Sequence, residues 1–282
     1  MKILVTGAGG MLGQEVTAAC HARDHEVVAL AHAALDITDP AAVDRELSRY
    51  EPDAVVNCAA FTDVDGAEDD EAGAMRVNDE AAAQLAAAAA GIGAKVLHPS
   101  SDYVFDGTRR EPYVESDMPS PLSAYGRTKQ AGETSVAVAN PRHFIVRSSW
   151  LFGLGGKNFV ETMLRLGDEQ PEVLVVSDQV GCPTYTRHLG EACALLVEGD
   201  EFGIHHIAGG GQCSWYEFAQ EIFDQAGVEC RVMAGTTEML ARKAPRPAYS
   251  VLGSERPDPL VLPHWSRGLA AYLAERELEA AA

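Results

Sequence analysis

Two groups of residues in this chain have types and a spacing that can do chemistry. Tyr125 and Lys129 stand four apart in a segment, Ala124 to Val138, that reads as a helix, so their side chains share one face. A phenol is a weak acid with a pKa of about 10. A neighbouring ammonium would favour its phenolate and bring it toward use near neutral pH. Such a tyrosine can give a proton to a carbonyl oxygen while a hydride reaches the carbon. Ser101 could hydrogen-bond that oxygen, and Lys129 could also bind a ribose beside the hydride donor, which must be a cofactor. Taken alone, Tyr-x-x-x-Lys is a frequent spacing whose ordinary meaning is a surface tyrosine over a lysine stem. Its position raises it, because it follows Ser100-Ser101-Asp102-Tyr103 at the C-terminal end of a strand. Open α/β sheets bind ligands there.

The second group is Thr6-Gly7-Ala8-Gly9-Gly10-Met11-Leu12-Gly13, directly after an apolar strand and opening a helix. Gly7, Gly10 and Gly13 let backbone approach a pyrophosphate seated on the helix N-terminus, with Met11 and Leu12 in the first turn. A plain tight turn is the competing reading. NAD binding usually places an acid ~20 residues past this loop, on the ribose hydroxyls. Here the second strand ends Ala29-Leu30-Ala31-His32, and the first acid is Asp36. A free 2′-position favours NADP(H) or dual use, although no arginine stands ready for the phosphate and NADH stays open.

These groups require a strand and helix order that the pattern supplies. Strands are expected at Lys2 to Thr6, Glu26 to Ala31, Ala54 to Asn57, Lys95 to Pro99 and His143 to Arg147. Helices are expected at Met11 to Ala22, from Asp39-Pro40 to about Tyr50, Glu68 to Ala90 and Ala124 to Val138. The alternation predicts an α/β fold, a doubly wound parallel sheet with helices on both faces. After about Trp150 the elements shorten, with helices near Asn158 to Leu166, Thr186 to Val197 and Ser214 to Gln225, and strands at Val173 to Ser177 and Ile204 to Ile207. The expected division is a nucleotide-binding domain at 1–150, to which 173–207 returns in part. A smaller, irregular α/β substrate domain takes 151–172 and 208–262, and a C-terminal helix takes 263–282.

Composition narrows the partners. The 282 residues hold 42 Asp and Glu against 22 Lys and Arg, a formal net charge of −20. That excess argues against nucleic acid and against anionic membrane as partners. No apolar run approaches the ~20 residues of a membrane span. The short apolar start leads straight into glycines and reads as a strand rather than a signal peptide. Six scattered cysteines without a Cys-x-x-Cys pair, and histidines without metal-ligand spacing, read as a reduced cytoplasmic chain with no metal site. Nothing in the sequence sets the oligomeric state, a homodimer included.

The chain resembles the extended short-chain dehydrogenases/reductases and, within them, the dTDP-4-dehydrorhamnose reductase family. The resemblance rests on the Gly7/Gly10/Gly13 loop, Asn57 to Asp65, Ser101-Asp102-Tyr103-Val104-Phe105-Asp106-Gly107, Ser120 to Lys129 and Arg147-Ser148-Ser149-Trp150. In the second half it rests on Asp178 to Tyr185, Ser214-Trp215-Tyr216-Glu217-Phe218 and Arg246-Pro247. It implies a Rossmann-type fold and a catalytic set of Tyr125, Lys129 and Ser101, where the family more often has threonine than Ser101. It implies that Ala59, Ala60 and Thr62 line the nicotinamide side, that Asp36 and Ile37 lie beside the adenine, and that Trp150 packs on the sugar. Asn158 and Phe159 would meet the nucleotide-sugar, with Gln179 and Arg246 as pyrophosphate or sugar contacts and Asp102 and Tyr103 beside the substrate.

The implied reaction is NADPH-dependent reduction of the C4 keto group of dTDP-4-dehydro-L-rhamnose. Two alternatives stay open: a reductase of another dTDP-deoxysugar, and a binding module like the regulatory beta subunit of methionine adenosyltransferase. Some relatives use Mg2+, whose ligands find no place on this sequence. Three stretches have plainer readings. The acidic run Asp63 to Glu71 lacks the spacing of a calcium loop and reads as a solvated helix start. Trp215 and Tyr216 read as core packing. Asp102 reads equally as a sugar contact or a turn cap.

Overall fold

The computed structural model describes residues 1–280. Five strands, β1 (Lys2–Thr6), β2 (Glu26–Leu30), β3 (Ala54–Asn57), β4 (Lys95–Ser101) and β5 (His143–Ser148), join a sixth, Gly203–His206, in one parallel sheet. The spatial order is β2-β1-β3-β4-β5 and then Gly203–His206. Successive strands therefore leave β1 in opposite directions, and a crevice opens between the C-terminal ends of β1 and β3. Alternation along the strands feeds two layers. Ile3 and Val5 pack under helix α1 (Met11–Ala22) and the helix Thr186–Glu198, through Val16, Leu189 and Cys193. Leu4 and Val55 turn to the other face, against Val43 and Leu47 of α2 (Pro40–Tyr50) and Leu85 and Ala89 of the helix Ala82–Gly91. On that same face Val96 and Ile145 meet Val136 of the helix Ala124–Ala139.

A second core gathers Phe152, Met163, Tyr185, Phe218, Ile222, Leu269 and Tyr272. Around it lie the helices Phe159–Glu169, Trp215–Ala226 and Trp265–Ala280, with paired strands Glu172–Val176 and Arg231–Gly235. Within 173–207 the chain divides. The helix Thr186–Glu198 and the strand Gly203–His206 join the main sheet, while Glu172–Val176 stays with the second core. Of the expected C-terminal segment, residues 281 and 282 lie outside the described residues. Among the described residues no helix is long and apolar enough to cross a membrane.

The expected helix Glu68 to Ala90 differs in detail. A short turn, Val64–Ala67, precedes a helix that starts at Glu71, and Arg76–Ala81 within it winds as π-helix. One polar side chain there, Asn78, is buried in an alanine-rich setting, and the wide turn aims it at the neighbouring loop.

One ion pair crosses the layers. Arg147 of β5 is fully buried and donates from Nε and Nη2 to both carboxylate oxygens of Glu133, at 2.9 and 2.7 Å. Glu133 also accepts from Ser100 of β4 at 2.6 Å. Breaking a buried pair from one side leaves an uncompensated charge, at a cost of about 3–5 kcal/mol. Arg147→Met is expected to lower the unfolding free energy by that order in urea titration, with Glu133→Gln/Arg147→Met recovering part of it.

Candidate active site

The crevice between β1 and β3 is built by glycines. Gly7 has φ +60, and a Cβ on it would run into the backbone of Cys58 and Ala59 beyond β3. A Cβ on Gly13 would overlap the Gly7 carbonyl, so α1 comes this close to the loop only as glycine. Gly10 caps α1, and no side chain bonds the first turn. The first-turn amides, those of Met11, Leu12 and Gly13, thus present the positive end of the helix to an anion. This cradle fits the pyrophosphate of a dinucleotide. Past β2, Ala31 packs beside Gly9 where an acid would otherwise grip a ribose. Asp36 spends one oxygen on the amide and hydroxyl of Thr38, at 2.9 and 2.7 Å, which holds its carboxyl below the usual range. Ile37 is buried under α2.

Ala59, Ala60 and Thr62 follow β3 along the crevice, and the segment is held from behind. Asn78 Oδ1 accepts from the Phe61 amide at 2.9 Å, and its Nδ2 donates to the Phe61 carbonyl and to Thr128 Oγ1 at 3.1 and 3.0 Å. One side chain therefore fixes the loop to the helix that carries Tyr125 and Lys129. Asn78 escaped the sequence reading, although a lone asparagine inside an alanine-rich helix is a signal, since it is a poor helix former there.

Ser101, Tyr125 and Lys129 come together at the end of β4. Lys129 is buried and donates to the Pro99 carbonyl at 2.8 Å. Burial pulls its pKa down to about 8, against the charge of Glu133. Tyr125 moves opposite to the sequence expectation. Burial first, then the charge of Asp102, push its pKa up to about 12, while a hydrogen bond with Ser101 works the other way. The lysine is turned to Pro99 and does not offset the desolvation, so Tyr125 stays a protonated phenol, the form an acid needs. The Ser101 hydroxyl donates to Asp102 Oδ1 at 3.0 Å and accepts from the Tyr103 amide at 3.1 Å. Asp102 is buried and also accepts from Ser250 Oγ. Burial raises its pKa to about 7, partly countered by those two hydroxyls. It therefore does more than cap a turn: it joins Ser101 to the segment around Ser250.

Beyond the Tyr103 ring, which meets Tyr125 edge-on with centroids 5.9 Å apart, lies a cavity of about 440 Å³. Phe159, Met163, Gln179, Trp215, Arg242 and Arg246 are among its walls. Trp215 is thus a cavity residue as well as a packing one. Its ring lies flat on Trp150, with centroids 3.5 Å apart and planes 6° from parallel. Trp150 holds φ +50, a strained value for a bulky residue and of a kind that collects at functional sites. Gln179 is buried and donates to Thr237 Oγ1 at 2.8 Å. Asn158 is not placed among the cavity walls. Its carbonyl oxygen caps the following helix at the Glu161 amide, and its Nδ2 donates to the Gly153 carbonyl.

The acidic run is not merely solvated. Glu68 accepts from the Ala124 amide at 2.7 Å, Glu71 binds Arg127, Asp69 binds Lys243, and Asp65 takes Arg246 in a bidentate pair. The sequence hid this because its partners lie more than 50 residues away. No group of three or more His, Cys, Asp or Glu side chains among the described residues could hold a metal ion, and nothing here supports a Mg2+ site.

Two buried groups predict opposite pH signatures. Asp102, raised from 3.8 to about 7, is costly when charged, a cost that appears as pH rises through that window. Asp102→Asn should unfold at higher urea than the parent at pH 8, the gain vanishing below about pH 4. Lys129, lowered from 10.5 to about 8, is costly below that range. Lys129→Met should gain stability at pH 7 and lose the gain toward pH 10. Parallel pH–stability curves for variant and parent would contradict either assignment.

Comparison with known proteins agrees with this geometry. A family model described as the RmlD substrate binding domain matches residues 1–278. The chain is 43% identical over 277 residues to the spore coat polysaccharide biosynthesis protein SpsK of Bacillus subtilis, covering 98% of both chains. It is 45% identical to a dTDP-4-dehydrorhamnose reductase of Streptomyces griseus, covering 90% of this chain and 86% of that one. The crystal structure of a dTDP-4-dehydrorhamnose reductase from Bacillus anthracis in complex with NADP superposes with a TM-score of 0.95 at 37% identity, over 97% of this chain and 99% of that one. With its glycine cradle, its Ser101–Tyr125–Lys129 set and this similarity along nearly its whole length, the chain belongs to the dTDP-4-dehydrorhamnose reductase family of oxidoreductases.

Proposed function

We propose that this chain is a cytoplasmic, NADPH-dependent 4-ketoreductase that converts dTDP-4-dehydro-L-rhamnose to dTDP-L-rhamnose. One observation carries the reading. Ser101, Tyr125 and Lys129 gather at the end of β4, in the same sheet as a glycine cradle that fits a pyrophosphate, and Tyr125 meets Tyr103, a wall of the cavity that Trp215 and Arg246 also line. The cradle of Gly7, Gly10 and the first turn of α1 would hold the cofactor's pyrophosphate, with Ala59, Ala60 and Thr62 along its nicotinamide half. The NADP complex of the Bacillus anthracis relative supports that choice of cofactor. When bound, reduced nicotinamide supplies the hydride.

The chain's own residues supply the rest. Tyr125 donates to the C4 carbonyl oxygen, and the Ser101 hydroxyl turns its one hydrogen from Asp102 to the same oxygen when the sugar binds. Tyr125 gives its proton to that oxygen as the alkoxide forms, and its protonated state over the neutral range makes it competent to do so. Lys129, anchored on the Pro99 carbonyl, keeps further donors for the ribose of the cofactor. Phe159 and Trp215 form the apolar wall for the sugar, Trp150, which is not among the cavity walls, backs it by stacking on Trp215, and Arg246 meets the diphosphate. A pure binding module would need no such proton donor.

NADPH oxidation followed optically should show turnover with dTDP-4-dehydro-L-rhamnose. Tyr125→Phe should lose roughly 10²–10⁴-fold in rate while still binding NADPH. Tight NADPH binding without turnover in the parent would point to the regulatory alternative, and a preferred second dTDP-keto sugar would replace the substrate.

A further inference from the structure

The proposed machinery leaves one carboxylate unexplained. Asp65 lies on the turn Val64–Ala67, just beyond the nicotinamide-side segment, yet its partners come from the loop of residues 242–246. Its Oδ1 accepts from the Ala244 amide at 2.9 Å and from Arg246 Nη1 at 3.1 Å, and its Oδ2 accepts from Arg246 Nη2 at 3.0 Å. Arg242 Nη1 is 3.6 Å from Oδ2, and Lys243 pairs with Asp69. Arg246 Nη1 also donates to the Ala244 carbonyl at 2.8 Å. An arginine has five donors in a rigid fork. Three are fixed here, leaving Nε–H and one Nη2–H, and Arg246 lines the cavity together with Tyr103.

We propose that Asp65 is a positioning residue for the nucleotide-sugar. It clamps Arg246 by one edge so that the other edge is held toward the cavity for the substrate's diphosphate, and it pins the basic loop to the turn beside the cofactor. The inference rests on the reading of the cavity as a nucleotide-sugar site. A pre-oriented guanidinium loses less freedom when it binds an anion. Three loop cations face two carboxylates, so the loop keeps positive charge for a polyanion.

The sign of the effect separates positioning from simple charge. By charge alone, removing a carboxylate beside a diphosphate site lifts a repulsion and tightens binding of the anion. A clamp predicts the reverse. Asp65→Asn should weaken dTDP in calorimetry about tenfold and raise KM for the keto sugar in step. The turnover number should stay within about threefold, and NADPH binding should be unchanged, which also certifies the fold. Arg246→Ala should weaken dTDP at least as much, and Asp65→Asn added to it should cost nothing further. Tighter or unchanged dTDP binding, a fall confined to turnover number, or additive losses in the double variant would overturn the assignment. A parent enzyme that binds dTDP but reduces no dTDP-keto sugar would sink the reductase reading instead, and the dTDP arm would still decide the role of Asp65.

Discussion

A buried guanidinium holds the reacting layer together. Arg147, at the end of β5, is bonded through two nitrogens to Glu133, which belongs to the same helix as Tyr125 and Lys129 and also takes the Ser100 hydroxyl of β4. Its Nη1 faces Nε2 of His206 on the edge strand at 3.3 Å. The other ring nitrogen, Nδ1, lies 3.0 and 2.8 Å from two carbonyls, of Tyr113 and Gly253, so it must carry the hydrogen. Nε2 is then the acceptor, and burial with the arginine's charge holds the histidine neutral. Two strands, the edge strand and the helix that carries Tyr125 and Lys129 are thus cross-linked by groups too deep for water to replace. This network ties the helix that carries Tyr125 to the strand that ends at Ser101.

The same helix is fastened from its other side. Asn78, pushed out by the π-turn, binds Thr128 and both backbone groups of Phe61, and Glu68 receives the Ala124 amide at the helix start. The loop after β3, the helix that carries Tyr125 and Lys129 and the strand ends are therefore joined by hydrogen bonds. The stacked tryptophans and the basic loop belong to the other side of the cleft, where the second core provides the support. The site has one wall set by the sheet and one set by the irregular half, bridged by Asp102–Ser250 and Asp65–Arg246. Both bridges are carboxylates, and their environments differ. Asp65 faces cations and is held at about 2, whereas Asp102 meets only hydroxyls and amides and rises to about 7.

The net charge of −20 takes on a more local meaning in this light. The proposed cofactor and substrate are both polyanions, and a site for them cannot face them with unpaired acids. Asp65 and Asp69, in the densest acidic run, are consumed by Arg246 and Lys243, and Glu71 by Arg127. At the phosphate cradle the positive end of α1 acts with no side-chain charge in its first turn. Under the proposed function, backbone dipoles and one basic loop would meet the anions.

The sequence by itself determined the strand and helix alternation, the glycine loop and the Ser101, Tyr125 and Lys129 set. Each is written in local terms: an alternation of period two, a spacing of three or four, a backbone that only glycine permits. It also carried the family resemblance through both halves. Only the tertiary structure decided the protonation of Tyr125, because burial and Asp102 outweigh a lysine whose amine is turned to Pro99. The same holds for Trp215 against Trp150, for Asn78 behind Phe61 and for Asp65 on Arg246. Their partners are 17 to 181 residues away along the chain. Electrostatics and stacking depend on distance in space and on the water that folding excludes, and neither quantity is written in the spacing of residues.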